Sequence, residues 1–264
     1  MTRRFTTLAW SAAACTYLLI VLGAVVRITG SGLGCGDHWP LCNGHLFPPL
    51  NDIGTVIEWS HRLLASVVSI LVATLAFVAW RQRIPGKAPY IALGLLVPQV
   101  LLGAVTVKTG LTPAIVVLHL VMAMLLLASL LCVATGSSLS LRGRAVALLS
   151  LTLATVLFGA LTANLGAAAA CHGFPLCNGQ IWTTAGPLAL IHWVHRLLAY
   201  SLAIVATVWA VRTPGTASKV VVGLIVLQIA LGAGTVLSGL ASALQAAHVA
   251  VGAAVWSSVV LASR

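Results

Sequence analysis

An α-helix needs about 20 consecutive apolar residues to cross roughly 30 Å of hydrocarbon. This chain supplies eight such stretches, at about 7–27, 54–80, 90–107, 113–135, 144–164, 187–211, 218–238 and 243–262. With 60% of its residues hydrophobic and 6% charged, no water-soluble arrangement hides the apolar surface. The expected fold is all-α, a polytopic membrane protein of eight spans. Met1-Thr2-Arg3-Arg4 before an apolar run resembles the start of a signal peptide, but the run continues into Arg27 without a convincing cleavage site, so it is read as the first span.

The net charge of +11 would suggest a nucleic-acid partner in a soluble protein. Here the cations are sorted by position instead. Arg3, Arg4, Arg81, Arg83, Lys87, Arg142, Arg144, Arg212, Lys219 and Arg264 fall at the termini or in even-numbered connections, which the positive-inside rule places in the cytoplasm. The connections 28–53, 108–112, 165–186 and 239–242 then face outward, with both termini inside. A cell-membrane location and a lipid surrounding follow, and no nucleic-acid partner is expected.

A repeat runs through these spans. Glu58-Trp59-Ser60-His61-Arg62-Leu63-Leu64-Ala65 returns as His192-Trp193-Val194-His195-Arg196-Leu197-Leu198-Ala199. Pro40-Leu41-Cys42-Asn43-Gly44 is answered by Pro175-Leu176-Cys177-Asn178-Gly179, and Leu102-Gly103-Ala104 with His119 by Leu231-Gly232-Ala233 with His248. The chain therefore reads as two four-helix halves, 1–140 and 141–264. Four spans return the chain to its starting side, so the halves share one orientation about a pseudo-twofold axis along the membrane normal.

Cys35 and Cys42 lie in the first outward loop and Cys171 and Cys177 in the third, on the side where disulfides persist. Each loop is expected to close its own bridge, although four cysteines allow three connectivities and pairing between loops stays open. Cys15 and Cys132, inside spans, read as small buried apolar residues.

His61, His119, His195 and His248 each lie five to eight residues from the outer end of a span, about 8–12 Å below the outer surface at about 1.5 Å per residue. A single intramembrane histidine is usually a helix–helix contact. Four at one level, two per half on different helices, suit axial ligation of a flat metal macrocycle in a four-helix bundle, with bis-histidine heme the natural occupant. Zinc fits less well, because the second half lacks a carboxylate or thiolate at that depth. Gly103, Gly232, Gly234 and Ala247 would let a porphyrin approach the backbone, or equally would serve close helix packing.

Arg62 and Arg196 follow two of these histidines and need counter-charges. Glu58 stands at i−4 from Arg62. The chain's acidic residues are Asp37, Asp52 and Glu58, so Arg196 has none in its own half and must use a cross-half carboxylate, a helix carbonyl, a lipid headgroup or a ligand carboxylate such as a heme propionate, with Arg27 and Lys108 able to assist. Glu58 lies one turn outward of His61 and either does acid–base or charge-stabilising work beside a heme or simply pairs with Arg62. His192 replaces it in the second half, which suggests one reactive and one supporting site.

Gly23-Ala24-Val25-Val26-Arg27-Ile28-Thr29-Gly30-Ser31-Gly32-Leu33-Gly34-Cys35, Trp39-Pro40-Leu41-Cys42-Asn43-Gly44 and Glu58-x-x-His61-Arg62 resemble the heme A synthase family, and the likeness covers nearly the whole chain. The resemblance implies oxidation of a peripheral methyl of heme O to the formyl of heme A, by two hydroxylations through an alcohol and a gem-diol that loses water. It implies heme b (iron protoporphyrin IX) as cofactor on His195 and His248, heme O as substrate at His61 and His119 with Arg62, and Glu58 as the catalytic group. It includes paired cysteines in both outer loops, Cys35–Cys42 and Cys171–Cys177, and implies, as protein partners, a heme O synthase (farnesyltransferase), a heme-copper oxidase and an electron donor; the need for counter-charges makes Arg27, Lys108 and Arg196 the propionate candidates. Gly36-Asp37-His38 departs from the Pro-Asp that family members commonly carry before the tryptophan.

A bis-heme membrane cytochrome b that only carries electrons is the alternative. It accounts for four histidines and leaves Glu58 without a purpose. A thiol oxidoreductase is disfavoured because neither cysteine pair has the Cys-x-x-Cys spacing, and a transporter because Glu58 is the sole intramembrane acid.

Overall fold

The computed structural model describes residues 2–49, 51–138, 143–183 and 185–264. Its helices are α1 (Arg3–Ile28), α2 (Ile53–Arg81), α3 (Ala88–Lys108), α4 (Pro113–Thr135), α5 (Gly143–Asn164), α6 (Pro187–Arg212), α7 (Thr216–Leu237) and α8 (Ser242–Ala262), with a 3-10 turn at Ala167–Ala170. All eight are long and apolar enough to cross a membrane, as the composition requires. The largest boundary difference is the start of α1, at Arg3 rather than near 7. The predicted division between residues 140 and 141, and Arg142, lie outside the described residues.

Local chemistry explains the helix ends. The Thr2 hydroxyl accepts from Phe5 N–H at the start of α1 and the Asp52 carboxylate from Thr55 N–H at the start of α2. Pro113 and Pro187 open α4 and α6, where a missing N–H costs nothing. Gly136 ends α4 at φ 63°, a left-handed conformation that glycine adopts without a Cβ clash.

The chain divides into two compact units, Met1–Ser138 and Leu139–Arg264. In the first, α1 packs on α2 and α4, and α3 packs on the same two, closing a ring in which α2 and α4 stand diagonally opposite. The second repeats this order, with α5 and α7 each packed on α6 and α8. The aliphatic core of the first unit, Val68, Val72 and Leu75 on α2 with Leu126, Leu127 and Leu130 on α4, lies toward the end away from the histidines. Lipid tails are as apolar as these side chains, so the cohesion comes from dense packing rather than from water exclusion.

Hydroxyls inside the spans bond to their own helix: Thr16 to the Ala12 carbonyl, Thr106 to Leu102, Thr152 to Leu148 and Thr235 to Leu231. That satisfies them without water. Glu58, Arg62, His192, Arg196, Gln99 and Gln228 are among the polar groups that reach beyond their own helix.

Candidate functional site

His61, His119, His195 and His248 each lie against a glycine on the preceding helix. A Cβ built on Gly23 would stand 3.2 Å from His61 Cε1, on Gly103 3.3 Å from His119 Cε1, on Gly159 2.9 Å from His195 Cε1, and on Gly232 3.0 Å from His248 Cε1. Only glycine allows the rings this close to the neighbouring backbone. The histidines come from diagonal helices, α2 and α4 or α6 and α8, and so converge from opposite sides of their bundle. Gly234 meets Leu244 instead of a histidine.

A glutamine on the same helix as one glycine completes each layer. The Gln99 amide nitrogen lies 3.3 Å from His119 Nε2, and that of Gln228 lies 3.2 Å from His248 Nε2. Sequence reasoning missed Gly23, Gly159, Gln99 and Gln228. The two glutamines carried a signal, since each stands four residues before its glycine and 20 before its histidine.

The second unit allows a fit test for an iron macrocycle. Two imidazoles bound to one ion from opposite sides through bonds of about 2 Å put their ring centres roughly 6 Å apart. His195 and His248 have ring centres 6.5 Å apart and planes at 84°. His195 Nδ1 is bonded to the Thr155 carbonyl at 3.0 Å, which leaves Nε2 for a metal. The buried Nδ1 atoms of His61, His119 and His248 have no hydrogen-bond partner among the described residues. Residue type, spacing and the glycine-lined approach all fit bis-histidine heme.

Above each histidine layer an arginine clasps a disulfide loop. Cys35 is bonded to Cys42 and Cys171 to Cys177, each within its own loop. Asn43-Gly44 and Asn178-Gly179, all at positive φ, turn each loop back in a short hairpin, and Trp39–Pro40 and Phe174–Pro175 are cis. Arg62 Nη1 donates to the carbonyls of His38 (2.6 Å) and Leu41 (2.8 Å), while Arg196 Nη1 donates to those of Gly173 (2.9 Å) and Leu176 (2.8 Å). These are equivalent places in the two loops.

The third leg of the clasp differs. In the first unit Arg62 donates from Nε and Nη2 to Glu58 Oε1 (3.1 and 2.5 Å), and Glu58 Oε2 accepts the Cys35 N–H at 2.8 Å. In the second Arg196 Nη2 reaches the Cys171 carbonyl directly at 2.9 Å, and His192, at the glutamate's position, bonds through Nδ1 to the Ala167 carbonyl at 3.1 Å. Loop carbonyls thus surround the Arg196 guanidinium, a solution absent from the options open to sequence reasoning. Glu58 is buried and Arg62 partly buried, and the two form a two-pronged pair.

The remaining predicted residues lie around this clasp. Lys108 Nζ is 3.9 Å from Asp37 Oδ2 in the first loop, and Arg27 occupies the last turn of α1. Asp52, just outside α2, accepts the Thr55 N–H (2.7 Å) and hydroxyl (3.1 Å), and these bonds hold its carboxyl below the usual range. Thr55 in turn donates to the Gly34 carbonyl at 2.8 Å, pinning the loop to the helix start.

The chain is similar to known proteins over most of its length. Residues 6–260 match the COX15-CtaA family, described as cytochrome oxidase assembly protein. The chain is 34% identical over 246 residues to the heme A synthase of Shouchella clausii, spanning 85% of this chain and 81% of that protein. It is 31% identical over 260 residues to that of Bacillus licheniformis (87% and 85%), and 31% identical over 254 residues to that of Exiguobacterium sibiricum (88% and 84%).

Proposed function

The chain belongs to the COX15-CtaA family of cytochrome oxidase assembly proteins, and from that premise we propose that it is a heme A synthase, a membrane oxidoreductase that converts heme O to heme A. The observation that carries the assignment is the asymmetry of two otherwise matching units. Both have the glycine–histidine layer and the arginine clasp, and only the first has a carboxylate, Glu58, beside its histidines. An electron carrier with two equivalent hemes has no use for that difference.

On this reading residues 1–140 form the substrate half, where His61 and His119 hold heme O with its methyl group toward Glu58. Residues 141–264 form the cofactor half, where His195 and His248 would hold heme b. Bound there, heme b supplies one-electron transfer. Glu58 takes three N–H donors on its two oxygens, an arrangement that presents it as an acceptor and suits it to stabilising positive charge developing on the oxidised carbon. Arg62 fixes the carboxylate's orientation and the Cys35 N–H limits its swing. Arg27, in the last turn of α1, and Lys108, which also meets Asp37, are the proposed propionate partners, whereas Arg196 is engaged by three carbonyls of its loop.

The protein is a multi-pass membrane protein, and the sorted cations support cytoplasmic termini with the cysteine loops on the outer face of the cell membrane. A heme O synthase would supply the substrate, a heme-copper oxidase would receive the product, and a separate donor would feed electrons.

The test is heme extraction and chromatography from cells that make heme O, with and without the chain and with Glu58→Ala. Heme A appearing only with the intact chain establishes the synthase. Bound heme b without heme A, where heme O and reductant are demonstrably present, selects the electron carrier instead.

A further inference from the structure

The two units differ at a second point, in how their histidines are anchored. A carbonyl oxygen only accepts, so the 3.0 Å contact between His195 Nδ1 and the Thr155 carbonyl places the proton on Nδ1 and the lone pair on Nε2. The Thr155 hydroxyl takes no part, being bonded to the Leu151 carbonyl at 2.7 Å. Gly159 makes the contact possible: a Cβ there would lie 3.3 Å from His195 Nδ1 and 2.9 Å from Cε1.

The first unit lacks this anchor. His61 Nδ1 is buried with no hydrogen-bond partner among the described residues. Its ring stands farther from the backbone, with a Cβ on Gly23 lying 3.7 Å from Nδ1 and 3.2 Å from Cε1. Leu19, four residues before Gly23, holds the place that Thr155 holds before Gly159.

We infer that the Thr155 carbonyl, reached across Gly159, is the positioning group that makes His195 a permanent iron ligand, while the unanchored His61 leaves the first unit able to exchange its heme. The inference rests on the ligand assignment of the proposed function. A hydrogen bond from the second ring nitrogen fixes the imidazole's orientation and strengthens its donation to a metal, and such outer partners typically change metal affinity about 10- to 100-fold. A synthase needs this division, because its cofactor must stay while its substrate arrives and its product leaves.

The test uses the full-length protein purified with bound heme, challenged with excess apomyoglobin as a heme scavenger and followed in the Soret band. Wild type loses heme in a fast and a slow phase, and His195→Ala removes the slow one. Gly159→Ala speeds the slow phase about 10- to 100-fold and raises the midpoint potential of that heme, because a weaker imidazole donor stabilises the ferric state less. Thr155→Ala, which keeps the carbonyl, leaves both at wild-type values.

An unchanged slow phase and potential in Gly159→Ala overturn the inference. A wild type without bound heme, or a slow phase that survives His195→Ala, overturns the ligand assignment instead. Should Gly159→Ala fail to fold, wild type reloaded in both units with iron protoporphyrin IX reads the same effect. The slowly lost heme then has the lower potential, and the reverse order sinks the proposal.

Discussion

The backbone N–H of Cys35 donates to Glu58 Oε2 at 2.8 Å, so a disulfide-bonded cysteine and the one acidic side chain within a span are directly joined. Seating the loop and placing the acid are one structural event, and substitutions at Glu58 must separate the two.

Glu58→Gln keeps an oxygen for the Cys35 N–H and removes the charge. Heme A formation is expected to fall about 100-fold or more, with the loop as resistant to proteolysis as in wild type. Glu58→Ala loses both properties. Equal heme A yields from Glu58→Gln and wild type would remove the carboxylate from the chemistry.

The histidine pairs are expected to separate by assay. His195→Ala or His248→Ala lowers the heme b retained on purification at least about tenfold. His61→Ala or His119→Ala leaves that heme in place and abolishes heme A formation. Pyridine hemochrome spectra and product chromatography on the same preparations check both halves of the statement.

Arg196 holds three loop carbonyls, from Gly173, Leu176 and Cys171, with a single guanidinium. Lysine has neither the planar fork nor the donor count to replace it. Arg196→Lys is expected to destabilise the loop end of the second unit by about 2 kcal/mol, read as a lower Tm in detergent, with the Cys171–Cys177 bond becoming more accessible to reductant.

Gly34 lies against the start of α2, where an added Cβ would come within 2.5 Å of the Gly54 carbonyl oxygen and 2.7 Å of Thr55 N. Both obstacles are backbone and cannot rotate away. Gly34→Ala should cost about 1–3 kcal/mol and break the Thr55–Gly34 bond. Thermal melting measures the first effect, and faster proteolysis of the loop reports the second.

Asp52 caps α2 with its carboxyl held below the usual value of 3.8 by bonds from Thr55. A depressed folded-state pKa means that its stabilisation is complete above the unfolded pKa and is lost as pH falls through the folded one. Asp52→Ala should therefore lower Tm at neutral pH and match wild type once the carboxylate is protonated in both states. A Tm difference that persists unchanged into strong acid would contradict this account.

Much of the fold was legible because span length and the spacing of the repeated histidines are properties counted along the chain. Glu58 and Arg62 were legible as a pair because i,i+4 spacing on a helix fixes their proximity. Arg196 was not, since backbone carbonyls carry no sequence signature and its partners lie 20 to 25 residues away in a loop whose path depends on its hairpin. Gly23 and Gly159 were hidden among 24 glycines, because a contact surface and a packing spacer look alike until the opposing ring is seen. Gln99 and Gln228 could have been found from their shared spacing to histidine.

Each glycine–histidine contact within the described spans joins helices consecutive in the chain: α1 to α2, α3 to α4, α5 to α6 and α7 to α8. The first wall of each proposed heme pocket is therefore finished when its own helical hairpin has entered the bilayer, before the second wall has been synthesised. Association of two hairpins is the step that brings a pair of histidines face to face, which makes pocket closure a late event in biogenesis and gives a flat macrocycle a moment when it can enter from the side.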